Sequence, residues 1–565
     1  MDDQWAADSC CPLPANNVEE SEMTSKYDKQ RRLLRIALLF LLLPAAISMA
    51  TAQTRDPLAD LKLPSATIVS VETVAAGAFK PPAGTFVFPG TDPFKDLPAF
   101  RRVVGVIKPT SDSDIKFEVW LPIEGWNGNF RGVGNGGFAG SISHGDMAVP
   151  LSRGYAVAST DTGHTNPANG EETWAVGHPE KVIDFGYRAI HEMTVKAKAI
   201  VKANYGKAPK FSYFISCSNG GRQALMEAQR YPEDYDGIIA GAPANDWTRL
   251  MLNAAFISQV MLSDAANYIP AKKMKAIEAA ALASCDAADG LKDGLIDDPT
   301  RCRFDPSVLL CSGPETDACL TAAQVETLKK IYAGARDAKG SQLSPSYVPG
   351  GETGFFGWEL WISGPAPGKS PLNTLSTQFF KRMVFADENW DFKSLNAERD
   401  LKLAEQKLGP ILNSTNPDLK AFKKRGGKLI IYHGWSEGAI PPETAINYYK
   451  SVVAKMGQRD ADRFLRLYMV PGMQHCILGP GPNWFGQADA CTTCAAKHDI
   501  VASIEDWVER SVAPDTIIAT KYKNDIARTD LARTRPLCPY PGIAKYKGSG
   551  SIDDAANFVC QAPKE

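Results

Sequence analysis

"KFSYFISCSNGGRQALMEAQRYP", residues 210–232, decides the fold. It reads as a strand, a tight turn at Ser218 and then a helix. A serine lifted on such a turn needs small residues two before and two after it, because the strained turn brings those backbones against their neighbours. Gly220 supplies the second, and Ser216 stands where glycine is usual, a departure from G-x-S-x-G that is still small.

Outward from this elbow, short apolar runs bounded by glycine and proline recur: "FEVWLP" (117–122), "YAVAST" (155–160), "DGIIAGAP" (236–243), "KLIIYHGW" (428–435) and "RLYMVPGM" (466–473). Between two of them lies "YRAIHEMTVKAKAIVKANYG" (187–206), apolar at helical spacing. Strands alternating with helices imply a largely parallel sheet covered on both faces, the α/β-hydrolase plan. The pattern stops between 247 and 420, where helix-formers, local cysteine pairs and aromatic clusters take over, an insertion large enough for a lid domain. The expected organisation is a leader and signal peptide (1–52), the first part of the α/β-hydrolase domain (53–246), the lid (247–420) and the second part (421–565).

The chain has 565 residues, 44% hydrophobic and 22% charged, a globular composition too long for one ordinary core. Beyond residue 52 basic and acidic residues are equal in number. No basic stripe suits a nucleic acid, so none is expected as a partner. The start, "KYDKQRRLLRIALLFLLLPAAISMATAQ" (26–53), combines a basic flank, an apolar run broken by Pro44 and a small-x-small site at Ala50-Thr51-Ala52. That is a bacterial-type signal peptide with cleavage expected near Ala52, and Met23 offers an alternative start. The apolar run falls short of the roughly 20 residues a spanning helix needs, so a secreted or periplasmic chain without membrane insertion is expected.

Export makes disulfides the default for the ten cysteines beyond the leader. Sequence alone fixes no pairing; local spacing suggests Cys285 with Cys302, Cys311 with Cys319, Cys491 with Cys494 and Cys538 with Cys560, which leaves Cys217 and Cys476. The first precedes Ser218 and the second follows His475.

A nucleophilic serine on this fold needs an acid and then a histidine on loops after later strands. "SEGAIPPETAINYY" (436–449) offers Glu437, and "GMQHC" (472–476) offers His475; His433, which ends the preceding strand, reads as structural. Backbone N–H groups for an oxyanion are expected from Asn219 and from the loop "GVGNGGF" (132–138), at Gly136 or its neighbour Gly137. In "CDAADGLKDGLIDDPTRC" (285–302), Asp286, Asp289 and Asp293, with glycines permitting sharp turns, offer the hard oxygen ligands that calcium requires. No organic cofactor is expected. Lid aromatics and a cation, Trp358, Trp361, Phe379, Phe380, Arg382 and Trp390, are candidates for substrate contacts.

The adjoining Cys-Ser and His-Cys pairs, with "WNGNFRGVGNGGFAG" (126–140), "DTGH" (161–164), "FADENWDF" (385–392) and "GPNWFG" (481–486), resemble the tannase and feruloyl esterase family from about Pro57 to the C-terminus. The resemblance implies a secreted serine esterase acting on small aromatic esters of feruloyl, galloyl or terephthalate-monoester type. It implies a triad of Ser218, Glu437 and His475 with Cys217 bridged to Cys476, and a structural calcium ion held by Asp286, Asp289, Asp293 and the carbonyls of Leu291 and Leu295. Two departures stand out: the family's usual acid is aspartate, and Arg101 replaces a cysteine common near the mature N-terminus. Two rival readings are an amidase or peptidase on the same fold, and a non-catalytic polyphenol- or glycan-binding relative.

Overall fold

Nine strands form one sheet in the computed structural model, which describes residues 56–87, 91–165, 172–488 and 495–562. In chain order they are β1 (Ala66–Val74), β2 (Phe100–Ile107), β3 (Ile115–Pro122), β4 (Phe130–Gly132), β5 (Ala156–Thr160), β6 (Ser212–Cys217), β7 (Gly237–Gly241), β8 (Lys428–Gly434) and β9 (Leu465–Val470). They lie side by side as β1-β2-β3-β5-β4-β6-β7-β8-β9. β1, β2, β3 and β5 pair antiparallel, and from β5 onward every pair is parallel. This is the α/β-hydrolase fold.

The parallel strands are nearly continuous apolar runs because both of their faces are covered. Alternation divides them between two cores. Phe214, Ile238, Ile431 and Leu467 face a cluster shared with helix Ala189–Tyr205 and helix Asn219–Arg230. Tyr213, Ile215, Ile239, Ile430 and Tyr432 face the other way, onto Ile500, Ile504 and Trp507 of helix Ile500–Arg510. Gly206 ends the first helix at φ +73°, a left-handed cap that suits glycine.

The insertion lies between β7 and β8, with helices Trp247–Leu262, Met274–Cys285, Ala322–Ala333, Pro371–Gln378 and Ala397–Leu412. It carries apolar cores of its own, one around Ile277, Leu328 and Trp358 and another that reaches Phe138, Ala439 and Ile440 of the hydrolase body. Two antiparallel hairpins, Ile517–Asn524 with Thr529–Leu537 and Ile543–Tyr546 with Phe558–Gln561, follow helix Ile500–Arg510.

Disulfides join Cys217 to Cys476, Cys285 to Cys302, Cys311 to Cys319 and Cys538 to Cys560. The expected Cys491–Cys494 pair and the signal peptide lie outside the described residues. Among the described residues no helix is long and apolar enough to cross a membrane.

Candidate active site

β6 delivers Ser218 to the turn, where its backbone takes φ +67° and ψ −126°, a conformation L-residues rarely adopt. The turn is held by Ser218 N–H donating to the Gly241 carbonyl (2.9 Å) and Ala244 N–H donating to the Ser218 carbonyl (3.2 Å). The small-residue requirement is explicit here. A Cβ on Gly220 would lie 1.9 Å from Ser216 Oγ, and one on Gly134 would lie 2.9 Å from that same oxygen. Serine is tolerated at 216 because both facing positions are glycine.

Glu437 and His475 stand on the loops after β8 and β9. His475 Nε2 is 3.0 Å from Ser218 Oγ, and its Nδ1 is 2.9 Å and 3.1 Å from the two carboxylate oxygens of Glu437. His475 and Glu437 are buried, whereas Ser218 is half-buried. Glu437 Oε1 also accepts from the N–H groups of Ala439 (2.8 Å) and Ile440 (3.3 Å). Burial works to raise this carboxyl, but the charge and hydrogen bond of His475, the charge of His433 and the Ala439 N–H outweigh it and hold it below its ordinary value. His433 Nε2 donates to the Ile440 carbonyl (3.0 Å), and burial lowers its pKa. The longer glutamate reaches the imidazole while keeping its own loop amides bonded.

The Cys217–Cys476 bridge spans 259 positions in sequence, with its Cα atoms 6.0 Å apart. Both residues next to the reacting pair are thereby tied. Cys476 itself sits at φ +67°, as does Ser218 beside Cys217, so each loop takes a positive-φ residue at or next to the bridge.

Asn219 opens the helix Asn219–Arg230, so its N–H has no acceptor one turn earlier and remains available at the elbow. The glycine loop after β4 is clamped to this helix: Asn135 N–H donates to Gln223 Oε1 (3.0 Å), and Gln223 Nε2 donates to Asn135 Oδ1 (3.1 Å). Asn135 Nδ2 donates in turn to the carbonyls of Ser141 and Thr160, both at 2.8 Å. Side chains at Gly136 or Gly137 would project into open space, and Gly137 has φ +52°. His164 of the "DTGH" segment donates from Nε2 to the Phe138 carbonyl (2.7 Å); burial pushes this imidazole down to about 4, so it is neutral.

Sequence reasoning missed Asn135 and Gln223, whose pairing across 88 positions has no local signature. It also missed Arg222. That fully buried guanidinium donates to Asn219 Oδ1 (2.7 Å) and to the carbonyls of Gly186 (2.7 Å), Phe185 (3.0 Å) and Leu412 (3.3 Å), tying the elbow to the end of an insertion helix. Burial lowers its pKa to about 9.

The lid candidates separate by position. Trp361 sets its ring edge-on to His475, with centroids 4.9 Å apart and planes at 74°. Trp358, three residues earlier, is wholly buried between Tyr332 and Tyr347 in the core of the insertion. Phe379 and Phe380 are fully buried, and Phe380 stacks on Trp390 at 5.3 Å in the cluster that reaches Phe138 and Ile440. Arg382 is buried and ion-paired to Glu388.

The acidic loop winds as expected, with Gly290 and Gly294 at φ +96° and +81°. Asp286 accepts from the N–H groups of Asp293 and Gly294, both at 3.1 Å. Asp289 accepts from Leu291 N–H (2.8 Å), while Asp293 is ion-paired to Arg535 (2.5 Å) and Arg533 (3.2 Å). Burial, then the charges of Asp289 and Asp293 against that of Arg535, raise the nearby Asp297 to about 7. Carboxylates crowded in a partly buried loop fit a hard divalent cation by donor type, with Asp293 shared between that role and its arginines. The loop is close to the site in space: a Cβ on Gly472, three residues before His475, would lie 2.6 Å from Leu295 Cδ2.

The chain is similar to known proteins over most of its length. Residues 101–561 match the tannase and feruloyl esterase family. The chain belongs to that family. It is 43% identical to an uncharacterised esterase of Xanthomonas campestris pv. campestris over 536 residues, covering 90% of this chain and 91% of the relative. It is 34% identical to mono(2-hydroxyethyl) terephthalate hydrolase of Piscinibacter sakaiensis, covering 92% and 93%. The crystal structure of feruloyl esterase B from Aspergillus oryzae superposes with a TM-score of 0.79 at 30% identity, covering 89% of this chain and 98% of that one. As a member of the tannase and feruloyl esterase family, the protein is a carboxylic ester hydrolase.

Proposed function

We propose that the protein is an exported serine esterase that cleaves esters of aromatic acids through Ser218, His475 and Glu437. The observation that carries this reading is the line of hydrogen bonds from Ser218 Oγ to His475 Nε2 and from His475 Nδ1 to Glu437. His475 Nε2 takes the hydroxyl proton as Oγ bonds to the ester carbonyl carbon, and Glu437 stabilises the resulting imidazolium and keeps its ring oriented. The N–H of Asn219 and one from Gly136 or Gly137 receive the developing oxyanion. His475 then protonates the departing alcohol, leaving the acyl group on Ser218. Water, deprotonated by the same imidazole, releases the acid and restores the serine.

The aromatic preference draws on the relatives named for feruloyl and terephthalate substrates, and on Trp361 as the aromatic wall nearest the reacting histidine. Phe380 and Trp390 belong to the apolar cluster against which Trp361 packs, and Arg382, once released from Glu388, is the candidate partner for a substrate carboxylate. Export draws on the leader and on four disulfides that suit an oxidising compartment. A calcium ion would be held by Asp286, Asp289, Asp293 and the carbonyls of Leu291 and Leu295, stiffening the lid loop that abuts Gly472.

The test is turnover of methyl ferulate, methyl gallate, mono(2-hydroxyethyl) terephthalate and a matching aryl amide by the parent and by Ser218→Ala. Turnover of at least one ester but not of the amide, abolished by the substitution, is expected. Amide cleavage at ester-like rates would point to an amidase. No turnover of any ester would point to a binding protein.

A further inference from the structure

Gln474 immediately precedes His475, yet its side chain is spent on the lid. Its Oε1 accepts from Phe356 N–H (3.2 Å), and its Nε2 donates to the Thr353 carbonyl. Its own N–H donates to the Leu478 carbonyl (2.9 Å), so the backbone that carries the side chain is fixed as well. The residue is buried at 2% exposure. The side-chain amide supplies both the acceptor and the donor that these two backbone groups require.

Around this pair the lid lies backbone to backbone on the loop that carries Glu437, and meets the loop that carries His475 through the Gln474 side chain. A Cβ on Gly357 would meet Gln474 Nε2 at 2.8 Å, one on Gly351 would meet the Ser436 backbone at 2.7 Å, and one on Gly438 would meet Gly357 at 2.7 Å. Ser436 Oγ donates to the Gly350 carbonyl (2.6 Å). From Gly357 the chain runs straight to Trp361, whose N–H donates to the Gly357 carbonyl (3.2 Å) and whose ring meets His475. The path Gln474, Thr353 and Phe356, Gly357, Trp361, His475 therefore closes a ring that starts and ends on adjacent residues.

We propose that Gln474 is a positioning residue that bolts the lid segment 350–361 to the His475 loop and thereby sets where Trp361 stands against the imidazole. The lid is an arm anchored beside the reacting pair, and the anchor tunes which acyl groups fit. This inference rests on the esterase reading above, in which Trp361 walls the acyl pocket. Removing the amide frees the segment, moves the indole and weakens discrimination between flat aromatic and small aliphatic acyl groups.

The experiment compares 4-nitrophenyl ferulate with 4-nitrophenyl acetate, which share a leaving group and differ only in the acyl part. Gln474→Met keeps the volume and removes both hydrogen bonds, while Gln474→Glu keeps the acceptor and removes the donor. For both variants the ratio of kcat/KM, ferulate over acetate, should fall about tenfold, mainly through the KM for ferulate. Trp361→Ala should lower the same ratio, and Gln474→Met added to it should lower it little further, because the two act as one unit. A merely structural role would slow both esters together. An unchanged ratio in both Gln474 variants, or effects that add fully with Trp361→Ala, would overturn the proposal. Ser218→Ala, run in parallel, tests the esterase reading separately: retained turnover of both esters would sink that reading whatever the Gln474 variants do.

Discussion

Cys217 and Cys476 are joined across 259 sequence positions, and each is the covalent neighbour of one member of the hydrogen-bonded pair Ser218 and His475. The bridge therefore acts on the site as a geometric constraint and on the chain as a loop closure. The loop-closure model credits a loop of this length with about 5 kcal/mol. The double variant Cys217→Ser/Cys476→Ser should melt roughly 5 °C lower by calorimetry. At temperatures where it stays folded, kcat for an aromatic ester should fall at least about tenfold, since small misplacements of a nucleophile and its base are costly. An unchanged melting point and kcat would show that the bridge constrains neither.

Glu437 is expected to matter for both turnover and the pH dependence of stability. Removing its charge in Glu437→Gln leaves the His475 ring without an anionic acceptor at Nδ1, and kcat should fall by about 10⁴-fold. The folded-state pKa of Glu437 lies below its unfolded value near 4.5. A group depressed in this way stabilises the fold fully above the unfolded value, and that contribution is lost as pH falls through the folded one. The gap in melting temperature between parent and Glu437→Gln should accordingly be widest at neutral pH and close below the ordinary carboxylate range. A gap that widens on acidification would contradict the assigned direction.

What the sequence made legible and what it hid follow from how local each signal is. β6, β7, β8 and β9 are apolar runs cut by glycine or proline, and the elbow carries its own spacing rule, so Ser218, Glu437 and His475 could be placed in order along the chain. The antiparallel edge was hidden because β1 and β2, "ATIVSVETV" and "FRRVVGVI", mix polar and charged residues into the strand. Trp358 and Trp361 are three residues apart in one aromatic segment, and no pattern tells which ring meets His475; tertiary packing alone decides. Arg222 sits in the elbow segment, but its burial among carbonyls depends on the Leu412 end of a helix 190 positions away.

If the acidic loop binds calcium, removing the ion should be felt in two places. Dialysis against a chelator should lower the melting temperature, with recovery on adding calcium, by an amount that grows with the logarithm of its concentration above Kd. Because Leu295 packs against Gly472, kcat should fall in parallel, by less than for the triad variants. Asp289→Asn should abolish the calcium response of both quantities. A melting temperature indifferent to chelator and to added calcium would leave the loop as a purely protein-held turn, with Arg533 and Arg535 meeting the charge of Asp293.

The serine at 216 yields a test of the elbow itself. Gly220→Ala places a methyl group 1.9 Å from Ser216 Oγ and 2.6 Å from its Cβ; the Oγ can rotate away but the Cβ is fixed by the backbone, so overpacking should cost about 1–3 kcal/mol and displace Ser218. The remaining contact, the Asn135 carbonyl at 3.4 Å, is ordinary packing distance. Ser216→Gly removes the obstruction, and in that background alanine at 220 should be tolerated and even gain up to about 1 kcal/mol from its helix preference over glycine. The cycle of the two single variants and the double variant, read by melting temperature and by kcat, should thus show strong coupling at two residues that are not sequence neighbours. Additive losses would mean that Gly220 is required for its backbone freedom and not for the space it leaves to Ser216.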